Sequence, residues 1–238
     1  MLLAARVVCG DPLPAASADC KRRVQHAYSL LDQARQLQQG RVAVIRFLSE
    51  TVYQAPGRKQ PTKTVSRFVL MSKKNHTYIS NGEVAVYQDL QTQVCVVQAH
   101  RTVLITQVPA GKVGGLALWE QFRSQAVAQS RITQCLVVNT KDGPQRRITA
   151  VPVAPSAMVG KVTTIEYWLD GRTDALQRLY MQYPAGSQVV KAGVVFEGQS
   201  WKDDDPAVDV APLRQVLGAN DKLLPIYQTY ELQDQRNG

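Results

Sequence analysis

Catalytic signatures are what this 238-residue sequence lacks. It contains no G-x-S-x-G, no H-E-x-x-H and no dinucleotide fingerprint, which excludes the local patterns that build a nucleophile elbow, a metalloprotease zinc site or a cofactor cradle. Histidine is scarce. His26, His76 and His100 fall on a predicted helix, a strand edge and a loop, and none stands at metal-pair spacing or beside a nucleophile motif. The four cysteines are Cys9, Cys20, Cys95 and Cys135, with no C-x-x-C spacing for zinc or a redox centre. Cys95 and Cys135 lie in separate apolar strands, where buried thiols are the default and a disulfide between them requires the strands to come within bridging distance. Val8 before Cys9 and Asp19 before Cys20 replace the small residue that a lipid-anchored cysteine needs. No apolar run approaches the roughly eighteen residues that span a bilayer. Neither enzymatic activity nor a metal or cofactor is therefore expected. An active site assembled from distant residues would need two carboxylates, or a histidine of shifted pKa, in one deep pocket.

What is present is an ordinary globular composition, 45% hydrophobic and 20% charged, enough for one large β-rich domain or two small ones. The formal charge of +9 favours anionic surfaces such as lipid headgroups or nucleic acid, with plain solubility as the simpler alternative. Arg58, Lys59, Lys63, Arg67, Lys73 and Lys74 form the most basic stretch. It lacks aromatic interleaving for stacking bases, so it reads as a solvated rim and no nucleic-acid partner is expected. At the N-terminus Met1 to Ala5 is apolar, and Ala16, Ser17 and Ala18 before Asp19 have the small-x-small form of a signal-peptidase site. Arg6 and Asp11 interrupt the apolar stretch. Residues 1–18 are read as a truncated export signal or a disordered tail, and 19–238 as the single folded domain.

Lys21 to Gln38 carries apolar residues at Val24, Tyr28, Leu31, Ala34 and Leu37, the spacing of an amphipathic helix, with Asp19 as its cap and Gly40 at its end. Arg41 to Tyr53 and Thr64 to Ser72 alternate as strands. From His76 to Gln107 short strands meander, and Asn81-Gly82 predicts a type I′ hairpin turn between two of them. Pro109 to Gly115 is a hinge without the spacing of a phosphate-binding loop, and Leu116 to Gln129 is a second amphipathic helix. Strands follow at Arg131 to Asn139, Arg147 to Val153, Val162 to Leu169, Leu176 to Tyr183 and Gln188 to Glu197, the last three joined by hairpins that imply an antiparallel sheet. In the tail, Asp203, Asp204, Asp205 and Asp209 read as a solvated loop without the ligand spacing of a calcium site. Ala211 to Leu217 reads as a helical turn and Leu223 to Leu232 as a closing strand.

This order of elements resembles the bacterial lipoprotein-localisation carrier and receptor (LolA/LolB-like) superfamily. That family has a segment of the form apolar-x-[DN]-G-x-x-x-x-Y, a turn and a following strand; Asn81, Gly82 and Tyr87 occupy those places, and Thr164 to Tyr183 is similar to a later strand pair. The chain departs from the pattern at Ser72 to Asn75, where the family has a basic-proline stretch, and at Ala85, where a tryptophan often stands.

The resemblance implies an α+β fold, a single strongly curved antiparallel sheet or incomplete barrel, with helices covering a concave face that binds acyl chains. The lining residues it implies are Ile45, Phe47, Phe68, Leu70, Trp119, Phe122, Ile165, Tyr167, Leu179 and Met181, provided each strand's register is not one residue out. The expectation is an exported, non-catalytic envelope protein of the Gram-negative periplasm. Its partner would be a lipid, an acyl chain or a lipoprotein, with peripheral membrane contact. The alternative is a structural or protein-interaction module of the envelope with a filled core.

Overall fold

The computed structural model describes residues 14–36, 40–55, 60–108, 126–141, 143–153 and 161–236, the side chains of 14–16 and 33–36 excepted. Twelve strands form one open sheet. They are β1 (Val42–Tyr53), β2 (Thr62–Lys73), β3 (His76–Ser80), β4 (Val84–Gln88), β5 (Thr92–Val97), β6 (Thr102–Gln107), β7 (Ser130–Thr140), β8 (Gly143–Pro152), β9 (Thr164–Asp170), β10 (Leu176–Gln182), β11 (Val189–Lys202) and β12 (Glu231–Asp234). The spatial order is β12-β6-β5-β4-β3-β2-β1-β11-β10-β9-β8-β7. All neighbours are antiparallel except β12, which pairs parallel to β6. Two meanders, β1 to β6 and β7 to β11, meet where β1 pairs with β11; hairpins build each half, and this one long-range pairing joins them.

The hairpin turns repeat one device. The side-chain oxygen of Asn81 accepts the amides of Glu83 and Val84, that of Asp89 those of Gln91 and Thr92, and that of Asp170 those of Arg172 and Thr173. A short polar side chain thereby satisfies amides that the tight turn takes out of the ladder. The turn after β3 differs in detail from the expected type I′. The Asn81 amide donates to the Val84 carbonyl, so Gly82 and Glu83 are the central residues, and only Gly82 has positive φ, +89°. Glycine at the first central position is the pattern of a type II′ turn.

Helix α1 (Pro14–Gln36) starts earlier than expected and takes in residues 14–18. Asp19 is therefore an interior residue and not a cap, paired with Arg23 at 2.9 Å and Arg22 at 3.4 Å. The buried face of α1 is Cys20, Val24, Ala27 and Tyr28, with Leu31 at its margin, against β7, β9 and β10. The Tyr28 ring meets the Tyr167 ring edge-on at 6.2 Å. Arg23 reaches Asp174 at 2.8 Å. Cys20 is disulfide-bonded to Cys135 of β7, with Cα atoms 6.5 Å apart, and Cys95 is free. The pairing considered from sequence, Cys95 with Cys135, is thus corrected: β5 and β7 lie in opposite halves of the sheet.

The tail after β11 also departs from expectation. Asp203, Asp204 and Asp209 are exposed, as a solvated loop would be, but they are also paired: Lys73 bridges Asp204 and Asp209 at 2.8 and 2.7 Å, Arg41 pairs with Asp203 at 2.9 Å, and Lys202 pairs with Asp205. They dock the short helix α2 (Pro206–Asp209), whose Val208 is buried beside Val42 and Val44. A 3-10 turn at Pro212–Gln215 and a second at Pro225–Tyr227 follow, and the closing strand is confined to Glu231–Asp234. Pro225 explains the shortening, because a residue without an amide hydrogen cannot sustain a ladder. Of the expected second helix only residues 126–129 are described, of which 126–128 are helical and Gln129 is a turn; Trp119, Phe122 and the hinge at Pro109 to Gly115 lie outside the described residues, as does the loop 154–160.

Candidate apolar ligand face

Successive side chains of a strand point to opposite faces, so the register assigns every residue to one of two surfaces. One is the surface that α1 covers. Across β11 to β7 it carries Val194, Leu179, Tyr167, Ile148 and Cys135 in one row, and Ala192, Met181, Ile165, Ala150 and Ile132 in the next. Phe196, Phe47 and Phe68 continue it across β11, β1 and β2, with the last two rings stacked at 5.4 Å. Beyond them a straight apolar row runs through Ile45, Leu70, Ile79, Val86, Cys95 and Leu104, one residue from each of β1 to β6.

The opposite surface differs between the two halves. Over β1 to β6 it is apolar as well, with Val44, Met71, Tyr78, Tyr87, Val94 and Ile105 in one row. Here the tail closes it: Val216, Leu217 and Tyr227 pack on Val94, Val96, Val103 and Ile105. Burial pushes the Tyr87 hydroxyl well above its ordinary range, and Tyr78 and Tyr227 close by add to the shift. Over β8 to β2 the opposite surface is polar instead, lined by Arg147, Glu166, Trp168, Arg178, Tyr180, Glu50, Lys63 and Arg67.

The two halves of the α1 surface are not equally closed. Ile165, Tyr167 and Leu179 are buried under α1 as core, and burial raises the Tyr167 hydroxyl. Ile45 is also buried. Phe47, Phe68, Leu70, Met181, Ile79, Val86 and Leu104 are half-buried, and so is Cys95, whose thiol is pushed up by its apolar surroundings. A thiol so placed stays protonated and unreactive at neutral pH.

Of the ten lining residues named from sequence, eight share this one face, three of them in closed core under α1. Trp119 and Phe122 lie outside the described residues. Sequence reasoning missed Ile79, Val86, Cys95 and Leu104. Alternation marked their strands, but only the register shows that they extend the row begun by Ile45 and Leu70.

Among the described residues, no carboxylate or histidine belongs to the half-open rows of this face. His26 and His100 are exposed, and His76 Nδ1 lies 2.7 Å from the Val208 carbonyl on the side of the tail. No group of three or more His, Cys, Asp or Glu residues placed to hold a metal occurs among the described residues.

No family model and no curated protein matches the chain. Several solved structures are similar to it in fold. An uncharacterized conserved protein from Thermus thermophilus is 8% identical, with 89% of this chain and 100% of that one covered, at a TM-score of 0.43. A LolA superfamily protein from Nitrosomonas europaea is 11% identical, over 75% of this chain and 94% of that one, at 0.32. Pseudomonas aeruginosa MucB in its complex with MucA is 14% identical, over 84% of this chain and 63% of that one, at 0.36. At such scores the likenesses carry no weight for function.

Proposed function

We propose that this chain is an exported, non-catalytic envelope protein that holds a lipid, or the acyl chain of a lipidated partner, on the α1 face of its sheet. In this reading the sheet curves into an incomplete barrel with that face concave, and α1 forms one wall of the binding groove. The observation that carries it is the half-buried row from Leu70 to Leu104, which continues an otherwise closed apolar core and presents no ionisable group to a ligand except a protonated thiol. A straight chain laid along such a row would gain about 25 cal/mol for each square ångström of apolar surface it removes from water. The Cys20–Cys135 disulfide supports the compartment, because such bonds persist in the periplasm and outside the cell and are rare in the cytosol.

The test is titration of a fluorescent long-chain fatty acid into the oxidised protein. Saturable binding is expected, abolished by Leu70→Lys or Val86→Lys, each of which sets a charge in the path of the chain while leaving the disulfide and the α1 core untouched. Absence of binding, together with no lipid retained in native mass spectra after mild purification, would overturn this reading and favour a protein-interaction module with a filled groove.

A further inference from the structure

The surface opposite α1 carries a pattern that acyl binding does not use. Leu136, Arg147, Trp168, Arg178, Val195, Leu48 and Arg67 are consecutive register partners across β7, β8, β9, β10, β11, β1 and β2. They form one transverse row of apolar and cationic side chains without an acid, roughly 30 Å long at about 4.8 Å per strand. None of the seven is buried, and Leu136 and Arg67 are exposed.

The centre of the row is organised around the Trp168 ring. The guanidinium of Arg147 lies 5.7 Å and that of Arg178 lies 5.6 Å from its centroid. The indole N–H donates to Glu166, and the other Glu166 oxygen accepts from Arg147 at 2.7 Å. The indole is thereby fixed on the face with a cation at each side.

The acids of the neighbouring rows are already engaged. Glu166 is held by Arg147 and Trp168, Glu50 by Lys63 and Tyr180, and Glu197 by Arg67. Among the described residues Arg178 and Arg46 make no ion pair, and the ammonium of Lys191 lies over the Tyr180 ring at 3.9 Å. The face therefore offers surplus positive charge, beside aromatic rings and aliphatic side chains.

We propose that this face seats the protein on an anionic phospholipid bilayer. Charge complementarity chooses the occupant, in a chain of net charge +9, and the composition fits the headgroup layer. Arginine and lysine reach phosphates with their stems lying on apolar surface, and tryptophan and tyrosine favour the boundary between water and hydrocarbon. In this orientation the α1 face points away from the membrane, so bilayer contact and acyl binding use separate surfaces.

The experiment is co-sedimentation of the full oxidised chain with vesicles of phosphatidylcholine alone or mixed with phosphatidylglycerol. Binding is expected only with the anionic lipid, weakening as salt rises. Arg178→Glu and Lys191→Glu are each expected to lower the partition coefficient by at least about five-fold, the loss for one cation at such a surface, and the double substitution more. Thermal midpoints and fatty-acid binding of these variants should match the wild type, whereas Leu70→Lys should keep its vesicle binding. Quenching of tryptophan fluorescence by brominated lipid should fall in Trp168→Phe. The proposal is overturned if anionic vesicles are ignored, if the charge reversals bind as the wild type does, or if Leu70→Lys alone abolishes binding, which would assign membrane contact to the acyl face. Capture of polyglutamate through Arg178 without vesicle binding would assign the surface to an acidic protein and also overturn it.

Discussion

At the scale of single residues, Tyr180 and Gly193 show how the sheet tolerates a ring on its polar face. A Cβ at Gly193 would stand 2.2 Å from the Tyr180 ring and 2.5 Å from the Leu179 carbonyl, so the ring lies over the space that glycine leaves empty. From there the tyrosine hydroxyl donates to Glu50 at 3.1 Å, and burial first, then the Glu50 charge, push it up to about 12. Gly193→Ala is expected to destabilise by about 1–3 kcal/mol through overpacking, read as a lower urea midpoint. Carboxylates held below their ordinary values give the acid limb of stability, Glu50 and Asp170 among them. The Lys63 ammonium holds Glu50 below its ordinary value of 4.5, and the amides of Thr173 and Arg172 hold Asp170 below 3.8. Because the folded values lie under the unfolded ones, their contribution is whole above those ordinary values and is lost as pH falls through the folded ones. Urea midpoints should therefore drop below about pH 4, and less so in Asp170→Asn, whose side chain can still accept amides but does not ionise.

At the scale of elements, α1 is held by a covalent bond, an ion pair and a strip of apolar contacts. The Cys20–Cys135 bridge spans 115 residues of sequence. Closing a loop of that length removes unfolded-state entropy worth about 4–5 kcal/mol in the chain-entropy model. Cys20→Ser with Cys135→Ser should lower stability by about 2–5 kcal/mol in guanidinium titrations, and release of α1 should raise the fluorescence of a hydrophobic dye. Cys95→Ser should leave the oxidised protein's α1 packing unchanged by the same dye. In the other half, Ile105 is wholly buried beneath the tail, and Ile105→Ala should cost about 2–5 kcal/mol. The amphipathic spacing of Val24, Tyr28 and Leu31 is legible in the order of residues, as are the strand alternation and the polar turn residues. The start of α1 is not, because Asp19 looks like a cap in a sequence window and becomes an ion-pair partner once Arg22 and Arg23 lie one turn beyond it.

On the scale of the whole molecule, one sheet supports cores on both of its faces. Helix α1 closes one face over β7 to β10, and the tail closes the other over β1 to β6. Near the junction β1 is buried on both sides from Val42 to Ile45. Removing the chain from Asp204 onward is therefore expected to expose Val94, Val96, Val103 and Ile105 together. The truncated protein should self-associate in light scattering, although α1 and its disulfide remain. Of the proposed ligand face, Ile45, Phe47, Phe68 and Leu70 could be named from alternation and resemblance, since one correct parity on each of β1 and β2 places them all. Its continuation through Ile79, Val86, Cys95 and Leu104 could not, because that requires the cross-strand register of five successive pairs.

Alternation with period two, turn chemistry at Asn81, Asp89 and Asp170, and the apolar stripe of α1 are local properties, and they dictated the strands, their hairpins and the helix from the order of residues alone. Contacts between distant segments settled the rest. Cys20 pairs with Cys135 because α1 lies on β7; the aspartates become counter-ions because the tail returns over Lys73 and Arg41; and β1 joins β11 across some 150 residues. Each depends on which surfaces remain uncovered once the hairpins have formed, a quantity that no window of sequence contains.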